Sequence, residues 1–190
     1  MKKKLKIICV GDSGVGKTRF LSIMCNRTTD YYYNPTIGVD FKSNNLIICH
    51  EYNINYWDLS GNRRFECIIK NYFNNGDIVA LFFNYNDIKS IKNINYWIAL
   101  VRKYNLTIGI KLIGIDYKKE LSDNIQELNK YSHLKIYNLK KFSVFKCEYL
   151  IKNIINDMEN DNYKFEKYVK IKFSKKKHNR NNCWCCFTFC

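Results

Sequence analysis

The chain has 190 residues, which is enough for one domain with a sizeable core and too few for two comfortable ones. Its 46% hydrophobic content and single proline exclude a disordered or collagen-like chain. The 32 Lys and Arg residues against 17 Asp and Glu leave a formal charge of +15, which favours an acidic partner such as nucleic acid, anionic lipid or a phosphorylated ligand.

Short runs rich in Ile and Val alternate with segments of helical spacing, which predicts an α/β domain with a mostly parallel sheet. The predicted elements are, in chain order, a strand over 4–10, a helix over 16–26, strands over 39–48, 52–57 and 78–83, a helix over 89–104, a strand over 107–115, a helix over 121–131, a strand over 133–137 and a helix from 144 to about 168. The composition then changes to lysine, asparagine and cysteine. We therefore expect a domain over 1–168 and a tail over 169–190.

A phosphate-binding pattern follows the first predicted strand and opens the first predicted helix. It reads Gly11-Asp12-Ser13-Gly14-Val15-Gly16-Lys17-Thr18 and fits G-x-x-x-x-G-K-[ST]. Glycines let backbone N–H groups surround a phosphate, Lys17 adds a point charge, and Thr18 offers a hydroxyl to magnesium. The pattern predicts a nucleoside polyphosphate site, and the alternative is a glycine-rich turn with an incidental lysine.

Two further segments complete a recognisable set. They are Tyr33-Asn34-Pro35-Thr36-Ile37-Gly38-Val39-Asp40-Phe41 and Trp57-Asp58-Leu59-Ser60-Gly61-Asn62-Arg63-Arg64-Phe65. With these motifs, and with the pair Tyr72-Phe73 behind them, the chain resembles a small GTPase of the Ras superfamily, most like the Rab family. The resemblance runs from about residue 4 to 160 and is strong up to Asp87. It implies a three-layer Ras-like P-loop domain with a six-stranded, mostly parallel sheet, binding GTP or GDP with Mg²⁺.

The resemblance also assigns roles to matching positions. It makes Thr18, Thr36 and Asp58 the magnesium residues and Gly61 the glycine whose N–H contacts the γ-phosphate. Magnesium needs few protein oxygens, because it keeps several waters and binds the phosphates. The implied catalytic residues are Lys17, Gly61 and Asn62.

Two departures from the family pattern bear on catalysis and base recognition. Asn62 stands where a glutamine usually orients the attacking water, so we expect slow hydrolysis. The Asn-Lys-x-Asp motif that reads guanine is absent after Gly114. With a two-residue deletion Asp116 could accept from the base, whereas a gapless alignment places Lys118 there, and a cation accepts no hydrogen bond.

The resemblance implies an effector surface that both switch segments form. Its candidate residues are Tyr33, Ile37, Gly38, Val39, Asp40, Phe41, Trp57 and Tyr72. The alternative is an ordinary edge strand whose aromatic residues lie on the core side.

The tail joins a basic run to four cysteines, which is typical of a lipid anchor on a basic patch. By resemblance Cys185 and Cys186 are candidates for prenylation, with Cys190 a further lipidation candidate, although Phe-Thr-Phe-Cys is not a C-a-a-X box. Zinc binding by Cys183, Cys186 and Cys190, and an unmodified tail, are the alternatives.

Five other cysteines, Cys9, Cys25, Cys49, Cys67 and Cys147, are scattered singly among apolar runs, which predicts buried free thiols rather than disulfides. The run after the N-terminal lysines is broken by Lys6, so we expect no secretion signal. No apolar stretch reaches about 18 residues, so we expect membrane contact to be peripheral.

Three functional classes follow. The first is a monomeric, lipid-anchored GTP switch on the cytoplasmic face of intracellular or plasma membranes, serving vesicle trafficking through effector, exchange and activating proteins. The second is a catalytically impaired relative that acts as a nucleotide-bound or empty scaffold on the same membranes. The third is a nucleic-acid-binding protein, which lacks a recognisable binding motif beyond the tail, so we expect no specific nucleic acid partner.

Overall fold

The computed structural model describes residues 3–25, 34–48, 50–115 and 125–177, with side chains described up to residue 160 except at 125 and 126. Two compact units divide the chain, one over 1–152 and one over 153–190. The candidate site lies entirely in the first unit.

A single six-stranded sheet organises the first unit. Its strands are β1 (Lys3–Val10), β2 (Val39–Ile47), β3 (Glu51–Leu59), β4 (Ile78–Asn84), β5 (Gly109–Ile115) and β6 (Ile136–Leu139). They lie in the order β2-β3-β1-β4-β5-β6. The β2 and β3 pair is antiparallel and every other pair is parallel, which confirms the expected fold class.

Helices connect the strands. They are α1 (Lys17–Met24), α2 (Glu66–Ile69), α3 (Ile88–Lys92), α4 (Ile94–Tyr104), α5 (Ile125–Leu128) and α6 (Val144–Lys177). Short 3-10 helices add Arg63–Phe65, Lys70–Asn75 and Asn129–Tyr131. The part of the chain that the structure describes contains no helix long and apolar enough to cross a membrane.

Several boundaries differ from the sequence prediction. The helix expected over 89–104 is two helices that meet at Asn93, because asparagine favours helix ends over helix interiors. The last strand lies at 136–139 rather than 133–137. The final helix continues to Lys177 instead of ending near 168, since lysine is a good helix former. Residues 63–75 form short helices that no periodicity predicted.

The central strands of the sheet are buried. Strand β4 is buried from Ile78 to Phe83, and β1 is buried from Ile7 to Val10, so both strands lie between covered faces. Parallel strands end at the same edge of a sheet, and there the loops after β1 and β3 meet. That edge carries the candidate site.

The cysteine prediction was right in part. The cysteines that the structure describes are not in disulfides, and Cys9 and Cys147 are buried. Cys25 is half-buried and Cys67 is exposed on α2, so burial was wrong for these two. Cys49 lies outside the described residues.

Candidate functional site

The loop between β1 and α1 has the backbone of a phosphate cradle. Gly11, Gly14 and Gly16 have φ angles of 134°, 83° and 106°, which L side chains rarely adopt. A Cβ at Gly11 would also lie 2.2 Å from the Phe82 carbonyl oxygen. Gly16 begins α1 without a side-chain cap, so the first N–H groups of the helix remain for a ligand.

Lys17 holds this loop closed. Its Nζ donates to the carbonyl oxygens of Gly11 and Asp12, at 2.8 Å each, and the side chain is buried. Burial lowers the pKa of the ammonium from its usual value, while the carboxylates of Asp58 and Asp12 act in the opposite direction. A buried cation therefore lies beside the loop whose amides would face an anion.

Two hydroxyls and a carboxylate converge beside Lys17. Thr18 Oγ1 donates to Asp58 Oδ2 over 2.6 Å and lies 3.0 Å from Thr36 Oγ1. Thr36 Oγ1 is 3.5 Å from the same carboxylate oxygen. Residues 18, 36 and 58 come from three separate segments, so only the tertiary structure brings them together.

The Asp58 carboxylate fits a magnesium ion. It is fully buried, and its Oδ1 has no hydrogen-bond partner among the residues described. Burial raises its pKa, while the Thr18 hydrogen bond and the Lys17 charge act to lower it. Oxygen donors, a buried carboxylate and an unpartnered oxygen are what Mg²⁺ binds, so Thr18, Thr36 and Asp58 would hold it.

Gly61 lies directly against the phosphate loop. A Cβ built on it would come 2.2 Å from the Ser13 nitrogen and 2.7 Å from the Gly11 carbonyl oxygen. Its neighbour Ser60 donates its N–H to the Gly38 carbonyl oxygen over 2.8 Å. The segment after Thr36 and the segment after Asp58 are thus hydrogen-bonded to each other beside the phosphate loop.

The chain matches known GTPase proteins over this region. The family model described as "Ras of Complex, Roc, domain of DAPkinase" matches residues 6–120. Ras-related protein RabO of Dictyostelium discoideum is 33% identical over 161 residues, which are 80% of this chain and 73% of that relative. This chain belongs to the Rab-like small GTPases of the Ras superfamily.

Mammalian relatives give the same family. Ras-related protein Rab-34 of Rattus norvegicus is 34% identical over 145 residues, 76% of this chain and 54% of that relative. Ras-related protein Rab-36 of Mus musculus is 29% identical over 117 residues, 61% of this chain and 44% of that relative. The chain thus spans about half the length of these mammalian relatives.

Asn62 of this Rab-like GTPase caps a helix. Its side-chain oxygen accepts from the Arg64 N–H over 3.1 Å at the start of the 3-10 helix Arg63–Phe65. The residue is exposed, beside Gly61 and the phosphate loop. The sequence placed Asn62 at the catalytic position but did not reveal this competing hydrogen bond.

The side chain of Asp12 belongs to a hydrogen-bonded cluster with Asn93 and Trp97 that no sequence motif predicted. Both of its oxygens accept hydrogen bonds from the α3–α4 region, from Asn93 Nδ2 at 2.7 Å and from Trp97 Nε1 at 2.8 Å. Asn93, Tyr96 and Trp97 have helical spacing, which was the available signal. Only the fold brings that helix face to residues 63–66.

The base side of the Rab-like site is described only in part. Ile115 ends β5 and is fully buried. On β6, Asn138 is the register partner of Gly114, and its side-chain oxygen accepts from the Tyr85 hydroxyl over 2.6 Å. The Asp116 hypothesis lies outside the described residues.

Three of the candidate effector residues form a row of aromatic rings: Phe41 on β2, Trp57 on β3 and Tyr72 in the 3-10 helix Lys70–Asn75. Phe41 and Trp57 are register partners with ring centroids 4.9 Å apart, and Trp57 and Tyr72 follow at 4.8 Å. Phe41 is 45% exposed, whereas Trp57 and Tyr72 are half-buried. The Lys6 ammonium lies over both inner rings, at 5.1 and 5.8 Å.

The remaining candidates flank this row. Ile37 is 80% exposed, Gly38 is buried, and Val39 and Asp40 are half-buried. Phe41 lies on the same sheet face as Trp57, which packs against the hydrophobic core, yet it is 45% exposed. Its neighbour Lys42 lies on the opposite face, buried and paired with Asp40. Tyr33 and the tail candidates Cys185, Cys186 and Cys190 lie outside the described residues.

Proposed function

We propose that this protein is a membrane-attached molecular switch that binds GTP and GDP with Mg²⁺ and hydrolyses GTP slowly. The observation that carries the proposal is the convergence of Thr18, Thr36 and Asp58 oxygens beside the buried Lys17 ammonium. A polyphosphate and its metal need this combination of one cation, two hydroxyls and one carboxylate.

Nucleotide binding follows from the parts of the loop. Backbone N–H groups of Gly11 to Thr18 and the start of α1 face the phosphates, and Lys17 moves its hydrogen bonds from carbonyl oxygens to them. Thr18, Thr36 and Asp58 would hold Mg²⁺, whose charge would offset that of the phosphates. The Asp116 carboxylate is our candidate acceptor for the guanine base.

Slow hydrolysis is expected from residues 61 and 62. Gly61 contacts the loop through its backbone and brings its N–H towards the terminal phosphate. Asn62 is one methylene shorter than glutamine, and its oxygen is engaged by the Arg64 N–H. Catalysis of phosphoryl transfer depends mostly on positioning, so a short and engaged side chain orients water poorly.

Signalling would use the surface that carries Phe41, Trp57 and Tyr72. Thr36 precedes this surface in the chain, and Ser60 links the two segments through Gly38. Ordering of both segments by a γ-phosphate would change what an effector meets. Vesicle trafficking, exchange proteins and activating proteins are proposed from the Rab names of the relatives.

Membrane attachment would come from the tail. The basic residues of 175–180 attract an anionic leaflet, and lipid on Cys185, Cys186 or Cys190 would make the attachment stable. Such attachment would be on the cytoplasmic face of a membrane. We propose that it acts as a monomer and without a specific nucleic acid partner.

The deciding experiment is to denature the purified protein and identify released nucleotide, for the native chain and for Lys17→Met. Lys42→Met is the matched control, because Lys42 is also a buried lysine but pairs with Asp40 instead of the loop. We expect GDP or GTP from the native chain and the control, and none from Lys17→Met. An empty or adenine-loaded native chain would contradict the proposal.

A second candidate function is an impaired GTPase that acts as a nucleotide-bound or empty scaffold on membranes. The helix cap made by Asn62 and the absent Asn-Lys-x-Asp motif favour it, since one weakens water positioning and the other alters base recognition. Single-turnover hydrolysis separates the two. A bound GTP that persists for hours with an intact fold would support the scaffold.

A further inference from the structure

Asp12 is connected to the segment after Gly61 through side chains at the start of α4. We define the Asp12 network by its six residues: Asp12, Arg63, Glu66, Asn93, Tyr96 and Trp97. It lies wholly within the first unit of the chain.

One end of the network fixes the phosphate loop. Trp97 is 1% exposed and anchors α4 in the core, so its indole N–H is a rigid donor to Asp12. Asn93 supplies the second donor to the same carboxylate. Both Asp12 oxygens are therefore engaged, and the loop is tied by its side chain to a fixed helix.

The other end holds residues 63–66. Asn93 uses its oxygen to accept from Arg63 Nη2 over 3.3 Å, while its amide nitrogen serves Asp12. The Arg63 guanidinium lies 4.1 Å from the centre of the Tyr96 ring, and the Tyr96 hydroxyl donates to Glu66 Oε2 over 2.8 Å. Burial and the Glu66 hydrogen bond raise the pKa of Tyr96 to about 12, so this phenol remains a donor at neutral pH.

Asn93 is the branch point, because it alone in the network touches both the loop residue and the segment after Gly61. We propose that Asn93 is a positioning residue that couples the phosphate loop to residues 63–66, so that nucleotide release and the order of this segment change together. Asn93 does not contact the phosphates in this proposal. Its effect passes through the Asp12 carboxylate on one side and the Arg63 guanidinium on the other.

This inference rests on the proposed nucleotide site for its release measurement only. Hydrogen exchange of the free protein tests the coupling independently, because it reads the order of residues 11–16 and 62–69 directly. If the native chain binds no guanine nucleotide, the proposed function fails while the exchange measurement still decides the role of Asn93.

The variants are Asn93→Ala, which cuts both links, and Tyr96→Phe, which keeps the ring under Arg63 and removes only the Glu66 link. Tyr104→Phe is the matched control, since it deletes a hydroxyl from the same helix outside the network. Fluorescent GDP release and amide exchange are measured for each protein, with thermal melting to record global stability.

We expect Asn93→Ala to speed GDP release and the exchange of both segments about fivefold or more, the loss of one or two hydrogen bonds to charged groups. Tyr96→Phe should speed exchange of 62–69 with a smaller effect on 11–16, and Tyr104→Phe should change neither. Adding Arg63→Ala to Asn93→Ala should change the exchange of 62–69 less than Arg63→Ala does alone, because only the contact of Arg63 with the Tyr96 ring is then left to lose. An Asn93→Ala protein that melts earlier but keeps native exchange in both segments would overturn the proposal, as would fully additive effects of residues 63 and 93.

Discussion

The backbone of Gly61 lies against Ser13, so close that a Cβ on residue 61 would be 2.2 Å from the Ser13 amide nitrogen. The atoms around that position are backbone atoms of the phosphate loop, which cannot move aside as the end of a flexible side chain could. The segment after β3 and the phosphate loop therefore share one packed contact.

We predict that Gly61→Ala displaces residues 61–63 from the loop and costs about 1–3 kcal/mol of stability, the usual range for overpacking. Binding of GDP should persist, while a GTP analogue should no longer protect residues 61–69 from proteolysis. Gly109→Ala is the control, because nothing lies within 4 Å of a Cβ there. Equal behaviour of the two variants would contradict the prediction.

Asn62→Gln should speed single-turnover GTP hydrolysis, because the longer side chain reaches a water that Asn62 does not. The substitution also removes the Asn cap of the 3-10 helix, so thermal melting should show a loss of about 1 kcal/mol in the free energy of unfolding. Asn62→Ala controls for the cap, since it removes the cap without adding reach. A hydrolysis rate unchanged in Asn62→Gln would mean that residue 62 does not limit the chemistry.

Thr36→Val should lower the factor by which Mg²⁺ raises GTP affinity by about tenfold or more. The reason is that the substitution replaces one of three converging oxygens with a methyl group. GTP affinity measured with Mg²⁺ and with a chelator checks this. Thr107→Val is the matched control, since Thr107 precedes β5 at the opposite edge of the sheet. If chelation affects both variants as it does the native chain, Thr36 is not a magnesium residue.

Phe41→Ala should leave the fold and nucleotide binding nearly intact, at a cost of about 1 kcal/mol for the lost ring contact with Trp57. Phe73→Ala should cost about 3–5 kcal/mol, since Phe73 is fully buried. Denaturant unfolding compares the two. A loss at Phe41 as large as that at Phe73 would make residue 41 a core residue and remove it from the effector surface.

Replacing Cys185 and Cys186 together by Ser should release the protein from membranes to the soluble fraction of cells. Cys67→Ser is the control, because Cys67 is an exposed free thiol on α2 rather than in the tail. Retention of the double variant on membranes would place the anchor at Cys190 or in the basic run.

Local patterns were enough to predict the strands and the phosphate loop. Glycines, Lys17 and Thr18 lie within eight consecutive residues, so their geometry depends on a single strand, turn and helix. The buried strand β4 was equally plain, because a run of apolar residues is long enough to identify it. Short helices over 63–75 were missed because their packing against neighbours, rather than periodicity, stabilises them.

What the sequence by itself determined is the identity and order of the groups that a nucleotide site needs, together with the class of fold that carries them. Only the tertiary structure decided that Thr18, Thr36 and Asp58 share one cluster, that Asn62 caps a helix, and that Asn93 links Asp12 to Arg63. The reason is sequence separation, because Asp12 and Asn93 are 81 residues apart and no local pattern encodes their contact. Strand order and the packing of α4 bring them together.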